Sequence, residues 1–221
     1  HFIGIGGVSM SGIAIELARQ GFVVSGSDVS NSAENSYLAE MERFGQMKLF
    51  TSHSAENITK DIKAIIVTST ISNKNPELLK AQELGIKILQ RFEAINLIIQ
   101  GYKNRVGIFG GAGKTTTTAI TFFLFQAAGL LPSIFLGSVL NDLKSSVHLE
   151  VSKEYCIFET DESDASFKDM NMNSGIFVAM EGDHLEHKSY NGSYETMKQF
   201  FAEFLEKLNK DPIAIAYHDE K

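Results

Sequence analysis

Gly110, Gly111, Ala112, Gly113, Lys114, Thr115 and Thr116 stand between an apolar run at 106–109 and a stretch of helical character at 115–128. A glycine-rich turn that leaves a strand and opens a helix aims several backbone N–H groups at one point. The helix dipole adds partial positive charge there, and Lys114 adds a full one. Such a turn takes a polyphosphate, ATP or GTP, and Thr115 offers a hydroxyl where such sites hold Mg²⁺. One position departs from the usual pattern: Ile108 stands five residues before Gly113, where a first glycine is usual. A bare glycine turn beside a solvated lysine is the alternative reading.

A second glycine turn, Gly4-Ile5-Gly6-Gly7-Val8-Ser9-Met10-Ser11-Gly12, follows a short apolar run at 2–5 and enters a helical stretch at 11–20. It is close to the dinucleotide fingerprint, with Ser9 where the third glycine would be. Asp28 closes the next strand, about where an acidic residue reaches a ribose hydroxyl. These residues predict a diphosphate-bearing nucleotide and leave NAD and UDP both open; a turn needed only for strand–helix packing is the alternative.

Carboxylates complete the chemistry. Glu159 ends the apolar run 155–158, where it would face the phosphate loop from a neighbouring parallel strand, and it is assigned to Mg²⁺. Asp161, Glu162 and Asp164 follow it, and a solvated acidic loop is the competing account. His184, shortly after a further strand, is the second candidate metal ligand. A ring nitrogen beside oxygen ligands suits Mn²⁺ better than Mg²⁺.

Strand and helix alternate along the whole chain, as the positioning of these residues requires. Strands are expected at 2–5, 22–25, 64–68, 86–89, 105–109, 155–158, 175–179 and 213–217, and helices at 11–20, 33–44, 77–84, 92–100, 115–128 and 197–208. Alternation of this kind gives parallel sheets covered by helices. The expected fold is α/β, a Rossmann-like parallel-sheet domain at 1–102 followed by a P-loop ATPase α/β domain at 103–221, with residues 101–104 as the linker. Phe200, Phe201, Phe204 and Leu208 fall on one helical face and read as core. Arg91 and Glu93, at the junction, read as interdomain pairing, and His1, His148, His187 and His218 as surface residues.

The 221 residues carry a formal net charge of −7, which leaves no basic stripe for nonspecific nucleic-acid binding. Cys156 is the one cysteine and lies in an apolar run, so it reads as a buried thiol without a disulfide. With no signal peptide and no apolar run of about 18 residues, a soluble cytoplasmic protein without a membrane partner is expected. The strand that starts at once after His1 suggests a natural N-terminus further upstream. Oligomeric state is not encoded in any of these features.

Six motifs occur in order: Gly-Ile-Gly-Gly-Val-Ser-Met-Ser-Gly-Ile-Ala (4–14), Gly-Ser-Asp (26–28), Ser-Thr-Ile-Ser with Asn75-Pro76 (69–76), Gly-Lys-Thr-Thr-Thr-Thr (113–118), Glu-Thr-Asp-Glu-Ser-Asp-Ala-Ser-Phe (159–167) and Asp-His-Leu-Glu (183–186). Together they resemble the Mur ligases of bacterial cell-wall synthesis, and within them the members that add L-alanine to UDP-N-acetylmuramate. The resemblance implies an N-terminal UDP-sugar domain, a central ATPase domain that 103–221 does not complete, and a C-terminal amino-acid-binding domain beyond this sequence. It implies ATP and Mg²⁺ as cofactors (Mn²⁺ possible) and an acyl-phosphate route to the amide. Lys114, Glu159 and His184 become the catalytic set, with Thr115, Glu159 and His184 around the metal. The amides of Gly6, Gly7, Val8, Ser9, Met10 and Ser11 are expected to hold the UDP diphosphate, with hydroxyls from Ser9 and Ser11. Asp28 is placed near the ribose or uracil, and His53, Ser69 and Thr70 are looser assignments.

Two departures stand out. The family's loop usually reads Gly-Thr-His-Gly-Lys-Thr-Thr, whereas Gly111 and Ala112 stand here. Ala179-Met180 replace a more usual Thr-Asn before the acidic residue. Other readings are a murein-tripeptide recycling ligase, a nucleotide-binding regulatory protein with a degenerate ATPase, and a nicotinamide-dependent oxidoreductase.

Overall fold

The computed structural model describes residues 1–33, 35–160, 166–179, 185, 190–208 and 214–216. The chain divides into two compact units, His1–Ile95 with Ser145–Val147, and Asn96–Lys144 with His148–Lys221.

In the first unit the order is β1 (Phe2–Ile3), α1 (Val8–Arg19), β2 (Val24–Ser27), α2 (Ser36–Phe44), β3 (Met47–Phe50), β4 (Ala64–Val67), α3 (Pro76–Glu83) and β5 (Lys87–Gln90), with α4 (Arg91–Ile99) following. The strands form a parallel sheet in the order β3-β2-β1-β4-β5. The winding reverses between β1 and β4. In open parallel sheets that reversal leaves a crevice at the carboxyl ends of the strands, where ligands bind. Residues 4–7, 28–33 and 68–75 are the loops at those ends.

Alternation along the strands sets the packing. Ile3, Ile65 and Val67 form a core with Ile58 and with Leu78 and Ala81 of α3. Helix α1 buries Met10, Ile13, Ala14, Ile15 and Ala18. Each large apolar side chain removed from water contributes about 2 kcal/mol, so the loops between these elements are held at both ends.

The second unit contains β6 (Asn104–Phe109), α5 (Lys114–Ala127), β7 (Pro132–Leu140), β9 (Tyr155–Glu159), β10 (Ser174–Phe177), α6 (Tyr194–Leu208) and β11 (Ala214–Ala216), and β8 (Ser145–His148) falls at the division between the units. Its sheet order is β11-β10-β6-β9-β7-β8. Central β6 has parallel neighbours on both sides, β9 and β10. The last two residues of β6 point opposite ways, as a two-residue period demands. Ile108 packs with Phe122 of α5 and with Ile134, Leu136 and Ile157. Phe109 meets Phe177 at 5.5 Å and Phe204 of α6 at 5.2 Å. Phe201 and Phe204 are core, at 2% and 3% exposure, and Phe200 lies against Tyr190 at 5.7 Å.

The α/β architecture is the one the alternation predicts, with three strands added. Strand β3 (Met-Lys-Leu-Phe) has helix-favouring residues, and its pairing from Val24↔Met47 to Ser27↔Phe50 overrides that preference. Strand β7 opens on Pro132 and has Gly137 inside it, two residues that normally argue against a strand interior. β8 is short and sits between Lys144 at φ 51° and a loop. Helix α2 begins at Ser36 instead of 33, because the Asn35 side chain accepts from the amides of Tyr37 and Leu38 and fixes the start.

Candidate nucleotide-binding sites

The phosphate loop is tied down from both sides. Gly110 has φ 120° and lies so close to the Ala179 backbone that a Cβ would come within 2.3 Å of its carbonyl oxygen. Gly111 N–H donates to that same oxygen at 2.7 Å, and Val178 N–H donates to Phe109 O at 3.0 Å. The loop therefore follows the end of β10. Gly111 departs from the expectation that its amide serves phosphate, since the Ala179 carbonyl already takes it. Gly113, at φ 91°, turns the chain into α5, whose first intrahelical bond is Thr117 N–H to Gly113 O. The amides of Lys114, Thr115 and Thr116 precede it and have no acceptor in the helix. Ala112 and Gly113 are exposed at the tip.

Lys114 folds back over the loop, with Nζ donating to the carbonyls of Gly110 and Gly111 at 2.8 Å each. Thr115 Oγ1 donates to the Glu159 carboxylate, at 2.9 Å from Oε2 and 3.1 Å from Oε1. The β6–β9 register, Ile108↔Glu159, brings the two together by setting the end of β9 beside the start of the loop. Glu159 also accepts from Gly137 N–H at 3.0 Å. A hydroxyl and a carboxylate form the described part of the candidate cation site, an all-oxygen pair of the kind Mg²⁺ prefers. Among the described residues no group of three His, Cys, Asp or Glu side chains is arranged to hold a metal ion. His184, Asp161, Glu162, Asp164 and Asp183 lie outside the described residues.

At the first glycine turn, Gly4 (φ 79°) and Ile5 donate their amides to Ser27 O at 2.8 and 3.0 Å. Asp28 spends its carboxylate on backbone: Oδ2 accepts from Gly6 N–H and Oδ1 from Ser30 N–H, both at 2.9 Å. Asn35 Nδ2 holds Gly6 O at 3.0 Å. This narrows the expected diphosphate cradle. The Gly6 amide is occupied by Asp28, the Gly7 amide reaches Gly4 O at 3.3 Å, and the Ser11 amide makes the first intrahelical bond to Gly7 O. Ser11 is also lost as a hydroxyl donor, being 3% exposed and donating to Val8 O at 2.9 Å. Met10 turns its side chain into the core at 2% exposure. What remains is the three amides of Val8, Ser9 and Met10, together with the Ser9 hydroxyl. Ser69 and Thr70 are exposed just past the end of β4, where Thr70 Oγ1 lies 2.7 Å from Thr68 Oγ1.

Helices α2 and α3 are capped by Asn35 and Asn75 side chains, whereas α1 and α5 begin at Gly7 and Gly113 with no side-chain cap. Among these four helices, the two that leave the glycine turns start bare.

Beneath the first site lies a polar cluster. Glu77, 0% exposed, accepts from Ser27 Oγ at 2.5 Å and from Asn57 Nδ2 at 2.7 Å, with His53 Nδ1 at 3.2 Å and His1 Nε2 at 3.4 Å. Burial alone would raise its carboxyl, but His1, Ser27 and Asn57 beside it hold it below the ordinary carboxylate range. His53 is thus largely enclosed, and His1, read as a surface residue, has a fully buried side chain. Glu93 caps its own helix by accepting from Gln90 N–H at 2.7 Å, where interdomain pairing was expected. Sequence reasoning missed Asn35 and Glu77. The Asn-before-helix signal marks Asn35 as a cap, and nothing local marks Glu77 as buried.

Residues 1–103 match the family described as Mur ligase family, catalytic domain, and residues 108–221 match the Mur ligase middle domain. The chain is 40% identical over 208 residues to a UDP-N-acetylmuramate–L-alanine ligase of Buchnera aphidicola subsp. Baizongia pistaciae, covering 94% of this chain and 41% of that protein. It is 35% identical over 221 residues to the protein of the same name from Desulforamulus reducens, covering 100% and 46%. The chain thus spans less than half the length of these curated relatives. Among solved structures, the UDP-N-acetylmuramate–alanine ligase of Thermotoga maritima superposes with a TM-score of 0.80 at 26% identity, over 98% of this chain and 52% of that one. A second, the UDP-N-acetylmuramate:L-alanyl-gamma-D-glutamyl-meso-diaminopimelate ligase from Neisseria meningitides, gives 0.82 at 19% identity over 99% and 71%, a likeness of fold. With two ordered glycine turns, each at the end of a strand with parallel neighbours, and matches to both domain types, the chain belongs to the Mur ligase family.

Proposed function

We propose that the protein is an ATP-dependent ligase that joins L-alanine to UDP-N-acetylmuramate in peptidoglycan synthesis. Residues 1–102 bind the UDP-sugar and residues 103–221 bind ATP. Forming an amide from a carboxylate requires one carboxylate oxygen to become a leaving group. Transfer of the γ-phosphoryl of ATP to the muramate carboxylate gives an acyl phosphate, and the amine of L-alanine attacks its carbonyl and releases phosphate. The phosphates and the carboxylate are all anionic, so positioned positive charge is the main catalytic device.

Lys114 supplies that charge, exchanging its two carbonyl contacts for phosphate oxygens. Its neighbours Thr115 and Glu159 are the oxygen donors that would hold Mg²⁺, which offsets phosphate charge when bound. The contact between Thr115 and Glu159 at 2.9 Å, joining the loop's helix to the adjacent strand end, is the observation that carries this reading. Names of relatives at 35–40% identity support the choice of substrates.

The test is phosphate release by the full-length protein with UDP-N-acetylmuramate, L-alanine and ATP. Release that needs all three is expected. Release with murein tripeptide in place of L-alanine would favour the recycling ligase, and no release under any combination would favour a regulatory role. Glu159→Gln should raise the Mg²⁺ needed for half-maximal activity about tenfold, the loss of one charged ligand; an unchanged requirement would remove Glu159 from the metal.

A further inference from the structure

The buried cluster under the first glycine turn assigns protons. Ser27 Oγ has one hydrogen, and at 2.5 Å from Glu77 Oε2 it must lie on that line, since two bare oxygens would repel at this distance. His53 Nδ1 lies 2.8 Å from Ser27 Oγ and 3.2 Å from Glu77 Oε2. With the serine proton already spent, Nδ1 faces two acceptors and has to carry N–H itself. The ring's other nitrogen, Nε2, takes no partner among the described residues. Ser27 and Glu77 are 0% exposed, while the His53 side chain keeps 18% of its surface in solvent.

The cluster is joined directly to the ligand loops. Ser27 O anchors the amides of Gly4 and Ile5, and Asp28, the next residue, anchors Gly6 and donates its own amide to Phe50 O at the end of β3. His53 follows three residues after Phe50, so it stands among the carboxyl ends of β1, β2 and β3.

We infer that Glu77 is a positioning residue for the nucleoside-diphosphate site, locking His53 as the Nδ1–H tautomer so that Nε2 is the nitrogen that meets the ligand. Asn57 Nδ2 donates to the second carboxylate oxygen at 2.7 Å and keeps Glu77 from turning away. The inference rests on the UDP-sugar reading of the first turn and adds to it a residue that never touches the ligand.

The experiment uses the full-length protein and UDP. Imidazole nitrogen NMR of the wild type should show His53 Nδ1 protonated, with Nε2 alone shifting when UDP is added. By calorimetry, His53→Ala and Glu77→Gln should each weaken UDP about tenfold, and the double variant no further than either, because both remove one interaction. A merely structural Glu77 would give losses that multiply. UDP affinity unchanged in Glu77→Gln, multiplying losses, or a bare Nδ1 would overturn the assignment. If Glu77→Gln does not fold, the wild-type spectra decide. If the wild type does not bind UDP, the site reading fails and takes the inference with it. UDP binding with both His53 signals unmoved refutes the inference alone.

Discussion

Gly110 and Gly113 bracket the same loop, both at positive φ, yet replacing them with alanine should have different consequences. At Gly113 (φ 91°) a Cβ would meet nothing within 4 Å, so only backbone strain opposes it. That strain is about 1–2 kcal/mol, reduced by the smaller entropy of the unfolded chain. At Gly110 (φ 120°) a Cβ would lie 2.3 Å from Ala179 O and 3.0 Å from Ala179 N. Backbone atoms cannot swing aside like a side chain, so the loop and the end of β10 must separate by about 0.7 Å or more. Separation breaks the 2.7 Å bond from Gly111 N–H to Ala179 O. Strain of about 1–3 kcal/mol and a lost hydrogen bond of about 1 kcal/mol bring the total to roughly 2–4 kcal/mol. The two variants should therefore differ by about 2 kcal/mol, read as the difference in urea midpoint followed by circular dichroism. ATP affinity should fall more in Gly110→Ala as well, because the displaced loop carries Lys114. Equal destabilisation by the two variants, or a milder Gly110→Ala, would refute the argument that the β10 backbone dictates glycine at 110.

In the full-length enzyme, Lys114→Ala should lower ATP-dependent phosphate release by about 100-fold or more while UDP affinity stays within a factor of two, checked by coupled assay and calorimetry. Glu77 makes stability depend on pH. Its carboxyl is held below its unfolded value, so its contribution is present above about pH 4.5 and is lost as pH falls through the folded value. Urea midpoints of wild type and Glu77→Gln should converge on acidification, and a constant gap from pH 7 to pH 3 would contradict this. Cys156 is fully buried, and burial pushes its thiol far up. It should react with a disulfide reagent only after unfolding, at the rate of unfolding; fast labelling of the native protein would disprove the burial.

Much of the fold was legible because the apolar runs are strong and glycines punctuate them. The runs 64–68 and 155–158 are β4 and β9 to within a residue, and the step from strand to glycine turn to helix appears twice. What escaped detection depends on pairing. Strand β3 has no intrinsic strand signal and exists because β2 lies beside it. The pairing of Thr115 with Glu159 was readable in outline, since both strand ends were identified and parallel neighbours place their carboxyl ends together. The occupied amides of Gly6 and Gly111 were not readable. Each is taken by a partner distant in sequence, Asp28 in one case and Ala179 in the other. Likewise Glu77 looks like an ordinary acidic residue in a first helical turn, and only the packing of α3 against β4 puts it in the dark with two imidazoles.

The bare starts of α1 and α5 leave work for the substrates. At Gly7, in extended backbone, an asparagine would add about 0.3 kcal/mol to the empty protein, but its oxygen would sit where a phosphate oxygen belongs. At Gly113 the positive φ opposes one outright. On the proposed reading each nucleotide would act as the missing end-group of its own helix, so hydrogen exchange at residues 8–10 and 115–116 should slow on loading, each site responding to its own nucleotide. On that reading the molecule forgoes resting stability and recovers it at the moment its cargo is in place.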